Sequence, residues 1–242
     1  MEKPKILVTI CNYNHERYLK QSIKSIQEQS YDNLDICIID DGSSNINDVK
    51  DIINSIDTDN RIRVIYQKNH GKWHALNEAI RTSNAQLCTS HDADDVSLKD
   101  RIEIQFRSLT HSNALHNLCG FYHCWDEEEV DKHKDKRHNG NEGIQLIDNK
   151  TVGNMVLTGF NTPGINHYFT GEFETAGVSG MFYKEIWERG IRFNPPEIGL
   201  RVLLSEDSDF NFRVTSTFNQ TCVTVLPLYC YRRNTSTNKE EK

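Results

Sequence analysis

The chain has 242 residues, 36% of them hydrophobic and 26% charged, and a formal net charge of −7 at neutral pH. That leaves room for one large α/β domain or two small ones, and the composition is that of a globular protein rather than a disordered or fibrous one. Nucleic-acid and membrane-surface binders usually carry a basic patch, and against the acidic balance no Lys/Arg-rich block dominates here; the mixed run over 132–138 reads as a solvated loop.

The first half alternates strand and helix. Residues 6–10, Ile-Leu-Val-Thr-Ile, form a β-rich run, and Leu19, Ile23 and Ile26 follow at helical spacing. Residues 36–39 read as a second buried strand ending in the turn-forming Asp40-Asp41-Gly42-Ser43-Ser44. Val49, Ile52, Ile53 and Ile56 predict a helix, 62–66 a third strand, and Trp73, Leu76 and Ile80 a third helix. A fourth strand around 86–89 leads into His91-Asp92-Ala93-Asp94-Asp95, and Leu98, Ile102, Phe106 and Leu109 mark a further helix.

The second half is less regular. Residues 121–125 look strand-like, and 126–150 are long, polar and weakly periodic, as in a mobile loop or hairpin. Residues 177–183 read as a strand, 184–189 as a short helix, and Pro195-Pro196 as a break. Ser205-Glu206-Asp207-Ser208 looks like a helix start with a Ser cap and acidic first turn, and 221–226 a last strand. Neither a repeat nor a linker interrupts the chain, which predicts a single domain.

Such alternation predicts a doubly wound, mainly parallel sheet flanked by helices. Ligands of open α/β sheets bind beyond the carboxyl ends of the strands, so one edge could gather the polar clusters at 12–14, 40–41 and 92–94.

Seven cysteines are present, an odd count with no CxxC pair, several of them inside apolar runs. This pattern fits a reducing compartment and argues against a structural zinc site. The apolar run at 6–10 is too short for a signal peptide or membrane span, and no other segment is long enough to cross a bilayer. A cytoplasmic location, or one peripheral to a membrane, is expected. The sequons at Asn219 and Asn234 are short enough to arise by chance.

Four clusters carry chemistry. If Asp92 and Asp94 lie in an extended segment they point the same way, giving a hard oxygen site for Mg2+ or Mn2+; the alternative is a polar turn and helix cap. Asp41 at a strand end could accept a hydrogen bond from a pyrimidine N–H, or make an Asx turn. The Tyr13 ring could stack on a base, or simply pack. Glu206 and Asp207 could supply a general base, or only complement a helix dipole.

Together these clusters resemble glycosyltransferase family 2, inverting enzymes of GT-A fold, over nearly the whole chain. Residues 6–14 are similar to the family's first strand and its "xYN" end, where the Tyr position packs on uracil. Ile38-Ile39-Asp40-Asp41-Gly42-Ser43-Ser44 resembles "VDDGS", whose second Asp reads the base. Asn69-His70-Gly71 with Asn77 resembles the "NxG…ArN" stretch. Asp92-Ala93-Asp94-Asp95 is similar to "DADD", and residues 205–213 resemble "EDxDLxLR".

The resemblance implies a sugar moved from a nucleotide-diphosphate donor, with a UDP-sugar expected, to a glycan, lipid-linked or protein acceptor that sequence does not name. It implies Asp94 as metal ligand, Asp92 at the metal or ribose, Asp207 as catalytic base, and Mn2+ or Mg2+ as cofactor. Residues 1–110 would form the nucleotide-binding half and 111–242 the acceptor-side half, with 126–174 its least readable part.

There are departures. Leu76 stands where relatives often carry Arg, and Asn234 where the terminal "YRxH" pattern has His; Lys72 or Arg233 could supply phosphate charge instead. The "QxxRW" motif of processive polymerases is absent. Two other readings compete: a non-catalytic sugar-nucleotide or glycan binder of the same fold, and a sugar-1-phosphate nucleotidyltransferase. The latter would need a Gly-rich loop where Cys11-Asn12-Tyr13-Asn14-His15 stands.

Overall fold

Period-two alternation in the first strands sets the two faces of the molecule. In the computed structural model, which describes residues 3–56, 60–138, 144–145, 173–195, 205–218, 221–233 and 235, β1 spans Ile6–Asn12, α1 Glu16–Gln27, β2 Leu34–Asp40 and α2 Ile46–Ile56. Then come β3 (Ile62–Tyr66), α3 (Lys72–Arg81), β4 (Leu87–Asp92), β5 (Val96–Ser97), α4 (Arg101–Ser112) and β6 (His116–Cys124). The remainder is α5 (Glu127–His133), β7 (Ile144–Gln145), β8 (Phe173–Tyr183), α6 (Glu185–Glu188), α7 (Glu206–Thr217) and β9 (Thr221–Arg232).

Ile6, Val8, Ile10, Ile36 and Ile38 pack on one face with Leu19, Ile23 and Ile26 of α1, Val49 and Ile53 of α2, and Ile102 and Leu109 of α4. Leu7, Cys37 and Ile39 pack on the other with Ala75, Leu76 and Ile80 of α3, Ile186 of α6, and Phe210 and Val214 of α7. Burying each large aliphatic side chain contributes roughly 1.5–3 kcal/mol. A one-residue slip would exchange the two faces of a strand, so the register is strongly specified.

The strands form one sheet in the order β3-β2-β1-β4-β8-β6-β9-β5, with β7 paired to β9. Strands β1 to β4 are mutually parallel. The intervening β8 is antiparallel to both β4 and β6, so β6 points the same way as β4, and β9 is parallel to β6. The carboxyl ends of β1, β2, β4, β6 and β9 therefore share one edge. This is the mainly parallel, helix-flanked sheet expected. No helix among the described residues is long and apolar enough to cross a membrane.

Several expectations need correction. β4 runs on through Asp92, and Ala93-Asp94 form a turn closed by Asp95 N–H donating to Asp92 O (3.1 Å), so the two carboxylates converge through a turn rather than along an extended segment. The polar stretch after residue 125 is not all loop. Asp126 accepts from Glu129 N (2.9 Å) and caps α5. Ser205 stands at the N-cap position of α7 without a side-chain cap bond; its hydroxyl donates to Asp207 instead. β9 extends to Arg232 because Pro227 falls opposite Gly120, where the β6–β9 register shifts and a missing N–H is tolerated. Pro196, Asn234 and the stretch over 146–172, expected on the acceptor side, lie outside the described residues.

Candidate active site

The edge is built first by short polar residues that tie strand ends together. Asn12 and Asp40 are partners in the β1–β2 register, and Asn12 Nδ2 donates to Asp40 Oδ1 at 2.8 Å. Ser43 Oγ donates to the same oxygen at 2.6 Å and accepts from Asn14 N at 2.9 Å. Asn14 takes a left-handed φ of 56°, which Asn tolerates better than most residues, and accepts from Ser44 N (2.8 Å). Asp40 is thus structural, and Tyr13 between these anchors is 38% exposed.

Asp41 is buried and holds the loop that leads into α3. Its Oδ1 accepts from Gln67 Nε2 (2.6 Å) and His70 N (2.9 Å), and its Oδ2 from Gly71 N (2.9 Å). A carboxylate has about four acceptor positions, so about one is left for a ligand. Gly42 makes the close approach possible. Its φ is +81°, and a Cβ there would lie 2.8 Å from Asn69 N, against backbone.

The same loop delivers Lys72, the first residue of α3. Its ammonium lies 2.6 Å from Asp92 Oδ1 and 3.1 Å from Glu206 Oε1, joining the end of β4 to the start of α7. Burial works against this charge, but Asp92, Glu206 and Asp207 together hold the Lys72 pKa well above its ordinary value. Burial pushes Asp92 up; Lys72 opposes this and Asp94 adds to it. Burial, then Asp94 and Asp92, push Asp95 up further. Cys11, opposite Asp92 in the β1–β4 register, has its thiol pKa raised by burial, with Lys72 opposing.

Ligand atoms of Asp92, Asp94 and Asp95 all lie within 4.8 Å of one another. Clustered carboxylates suit a hard divalent cation such as Mg2+ or Mn2+. They are not equivalent. Asp95 is buried, and its Oδ1 accepts from Arg232 N (2.8 Å). Asp94 is accessible, with His15 Nδ1 at 3.8 Å and the Thr235 hydroxyl donating to it. Asp94 with Asp92 therefore fits such an ion best. On α7, Asp207 Oδ1 accepts from the Ser205 hydroxyl and from Ser208 N (2.8 Å), which fixes the carboxylate.

Two buried arginines support the acidic loop. Arg101 has five N–H groups and five acceptors: Gln105 Oε1, His91 Nδ1, Ser97 Oγ, Thr89 Oγ1 and Ser90 O. None is a carboxylate. Burial lowers the pKa of Arg101; burial, then Arg101, push His91 well below its usual range, so the imidazole is neutral. Arg232 donates to Asp94 O, to Gln21 Oε1 (2.5 Å) and to both carboxylate oxygens of Glu127 (2.9 and 3.0 Å).

Of the residues singled out in the sequence, Lys72, Asp92, Asp94, Glu206 and Asp207 come together. Asp41 reaches the group through the 67–71 loop. Arg233 turns elsewhere: its Nε donates to His123 Nδ1 at 2.7 Å, and its guanidinium lies near Trp125 and Tyr231. Leu76 is buried in the core and offers no charged group to a phosphate. Asn77 instead accepts from Trp187 Nε1 (2.8 Å) and donates to Phe193 O (2.8 Å), anchoring α3 to the α6 region. Sequence reading missed His15, Arg101, Glu127 and Arg232. Arg232 sits next to Arg233, and only the pleat distinguishes them. The Asp126-x-x-Glu129 spacing that starts α5, and so places Glu127, was a readable signal.

The family model described as glycosyl transferase family 2 matches residues 7–175. EpsH of Bacillus subtilis (strain 168) is 25% identical over 236 residues, covering 96% of this chain and 62% of EpsH. Among solved structures, S. aureus TarS 1-349 in complex with UDP-GlcNAc superposes with a TM-score of 0.68 at 13% identity, covering 96% of this chain and 59% of that one. The mannosyltransferase PcManGT from Pyrobaculum calidifontis, in complex with GDP-Man and Mn2+, gives 0.59 at 18% identity, covering 93% and 58%. The chain thus spans less than two thirds of each of these proteins, and under a fifth of three rickettsial relatives.

Proposed function

This chain belongs to glycosyltransferase family 2, and from that premise we propose that it moves a sugar from a nucleotide-diphosphate donor to an acceptor hydroxyl by single displacement with inversion. One observation carries the proposal: Lys72, Asp92, Asp94, Glu206 and Asp207, drawn from α3, the end of β4 and α7, converge at the carboxyl edge of the sheet.

In this reading Asp207 takes the proton of the acceptor hydroxyl. The oxygen attacks the anomeric carbon from the face opposite the diphosphate, and alignment of the two reactants supplies much of the rate. Lys72, at the N-terminus of α3, takes the negative charge of the leaving diphosphate, where helix N–H groups favour anions. Glu206, with Asp92, holds the Lys72 ammonium in place. Asp94 and Asp92 would hold Mn2+ or Mg2+, and such an ion, when bound, supplies further charge neutralisation on the diphosphate.

Tyr13 stacks on the base, and the remaining acceptor position of Asp41 takes its ring N–H. Uracil, thymine and guanine carry such a ring N–H and cytosine and adenine do not; uridine is the base we propose, in line with the UDP-GlcNAc complex of TarS, and the GDP-Man complex of PcManGT makes guanosine the comparison. The acceptor, whether glycan, lipid-linked or protein, is met by the 111–242 half of a single domain whose 1–110 half binds the nucleotide. The seven unpaired cysteines support a cytoplasmic or membrane-peripheral setting.

Thermal-shift measurements with UDP, GDP and TDP, each with and without Mn2+, test the donor side, since a ligand of the native state raises its apparent stability. UDP with Mn2+ is expected to give the largest shift. Asp207→Asn is expected to keep that shift and lose transfer by roughly 10²–10⁴-fold. Transfer at the normal rate by that variant would remove Asp207 as base.

A further inference from the structure

Trp125 follows the end of β6 on the same edge as the acidic loop, and it is 60% exposed, the most exposed large hydrophobic side chain among the described residues. Its backbone is held firmly. Trp125 N–H donates to Glu129 Oε2 at 2.6 Å, while Glu129 N–H donates to Asp126 Oδ1 at 2.9 Å, a reciprocal arrangement at the start of α5. The preceding residue, Cys124, stands opposite Arg232 in the β6–β9 register and accepts from Arg233 N at 2.8 Å. Since Arg232 N–H in turn reaches Asp95, Trp125 lies roughly 10 Å from the acidic loop by strand spacing, about the span of a disaccharide.

A rigid backbone presenting an exposed indole is the arrangement of a recognition platform, because an aromatic side chain offers contact area at low entropic cost. Arg233 completes it. Its guanidinium lies 5.9 Å from the Trp125 ring centroid and 4.9 Å from that of Tyr231, and His123 meets it through Nε and one Nη. The other Arg233 N–H groups bond no described residue, which leaves donors for a ligand's hydroxyls. Asp126, Glu127 and Glu128 are exposed on the adjoining first turn of α5, which disfavours a polyanionic ligand.

We propose that Trp125 and Arg233 form the acceptor subsite, in which the indole takes the apolar C–H face of an uncharged pyranose ring and Arg233 bonds its hydroxyls. The inference rests on the transferase reading for the word acceptor, but the platform itself is a binding site that can be tested without turnover. Arg233 then belongs to the acceptor side and not to the donor phosphates.

The test is saturation-transfer NMR on the full chain with methyl glycosides and short oligosaccharides of glucose, galactose, mannose and N-acetylglucosamine, and a polyol phosphate as the anionic comparison. At least one neutral sugar is expected to bind, with saturation strongest on the C–H protons of one ring face. Trp125→Ala should weaken it about tenfold, the loss expected for an aromatic stacking contact, and Trp125→Phe should restore most of the affinity. Because the side chain is exposed, neither variant should change the melting temperature or the shift given by UDP with Mn2+. Equal binding by wild type and Trp125→Ala, absence of any neutral sugar binding, or preference for the polyol phosphate would each overturn the proposal. Failure of the transferase reading looks different: UDP with Mn2+ would leave the wild-type melting temperature unmoved, and the platform would be judged on sugar binding alone.

Discussion

Replacing Arg232 by Met removes a charge that is only 4% exposed and that holds the acidic loop from behind. Met fills most of the volume, so the loss is chiefly in hydrogen bonds. Two of them go to neutral acceptors, Asp94 O and Gln21 Oε1, and a charge-assisted bond of this kind is worth about 1.5–3 kcal/mol. The bidentate pair with Glu127 counts for less, since that carboxylate is 50% exposed and regains water when abandoned, leaving about 0–1 kcal/mol. Taking the lower values, Arg232→Met should cost about 3 kcal/mol, a fall in melting temperature of roughly 6–12 °C for a chain of this length. Glu127→Gln should cost under about 1 kcal/mol. Urea titration followed by circular dichroism measures both, and calorimetry with UDP and Mn2+ reports whether the loosened loop binds the ion more weakly. Equal costs for the two variants would refute the solvent argument. An Arg232→Met protein with unchanged stability and ion affinity would refute the view that β9 holds the loop.

Lys72→Met should leave the fold intact and weaken UDP binding in Mn2+ about tenfold, read by calorimetry; unchanged affinity would place the diphosphate elsewhere. Gly42→Ala meets both a left-handed φ and a Cβ 2.8 Å from backbone, so it should destabilise by at least about 2 kcal/mol in urea titration and loosen the loop on Asp41. His116 is buried with Nε2 2.9 Å from Asn211 Oδ1, and burial lowers its pKa from 6.5 to about 4. The unfolded chain therefore binds the proton first as pH falls: the stability from this group is complete above 6.5 and lost by about 4, about 3 kcal/mol in all. Stability measured from pH 7 to 4 should drop less steeply in His116→Asn.

The first 110 residues were legible because their signals are local. Ile6, Val8 and Ile10 repeat every two residues and Leu19, Ile23 and Ile26 every three or four, and each periodicity matches what the element buries. The acidic loop was legible in residue type but not in shape, since Asp92 and Asp94 meet through a turn. The α5 helix was obscured because it buries only Val130 and His133 and otherwise reads as solvated charge. Arg101 and Arg232 were illegible for a different reason. A charged side chain is surface-like by default, and only acceptors gathered around it by the fold offset its burial. For Arg232 those acceptors, Gln21 and Glu127, are far apart in the chain and meet only in the folded topology; for Arg101 they lie within twelve residues but on three separate elements, β4, β5 and α4.

The order of the strands has a geometric consequence for the acidic loop. In that order β4 and β5 are four strand intervals apart, roughly 19 Å in a flat sheet. Yet the chain passes from Asp92 at the end of β4 to Val96 at the start of β5 in four residues, which reach at most roughly 14 Å. The sheet must therefore curl back on itself, and the Asp-Ala-Asp-Asp segment is the chord across that curl. Its length sets the curvature as a bowstring sets the bend of a bow. One residue inserted between Asp92 and Val96 would slacken the whole far side of the sheet, so the segment is a structural gauge as well as a place for carboxylates.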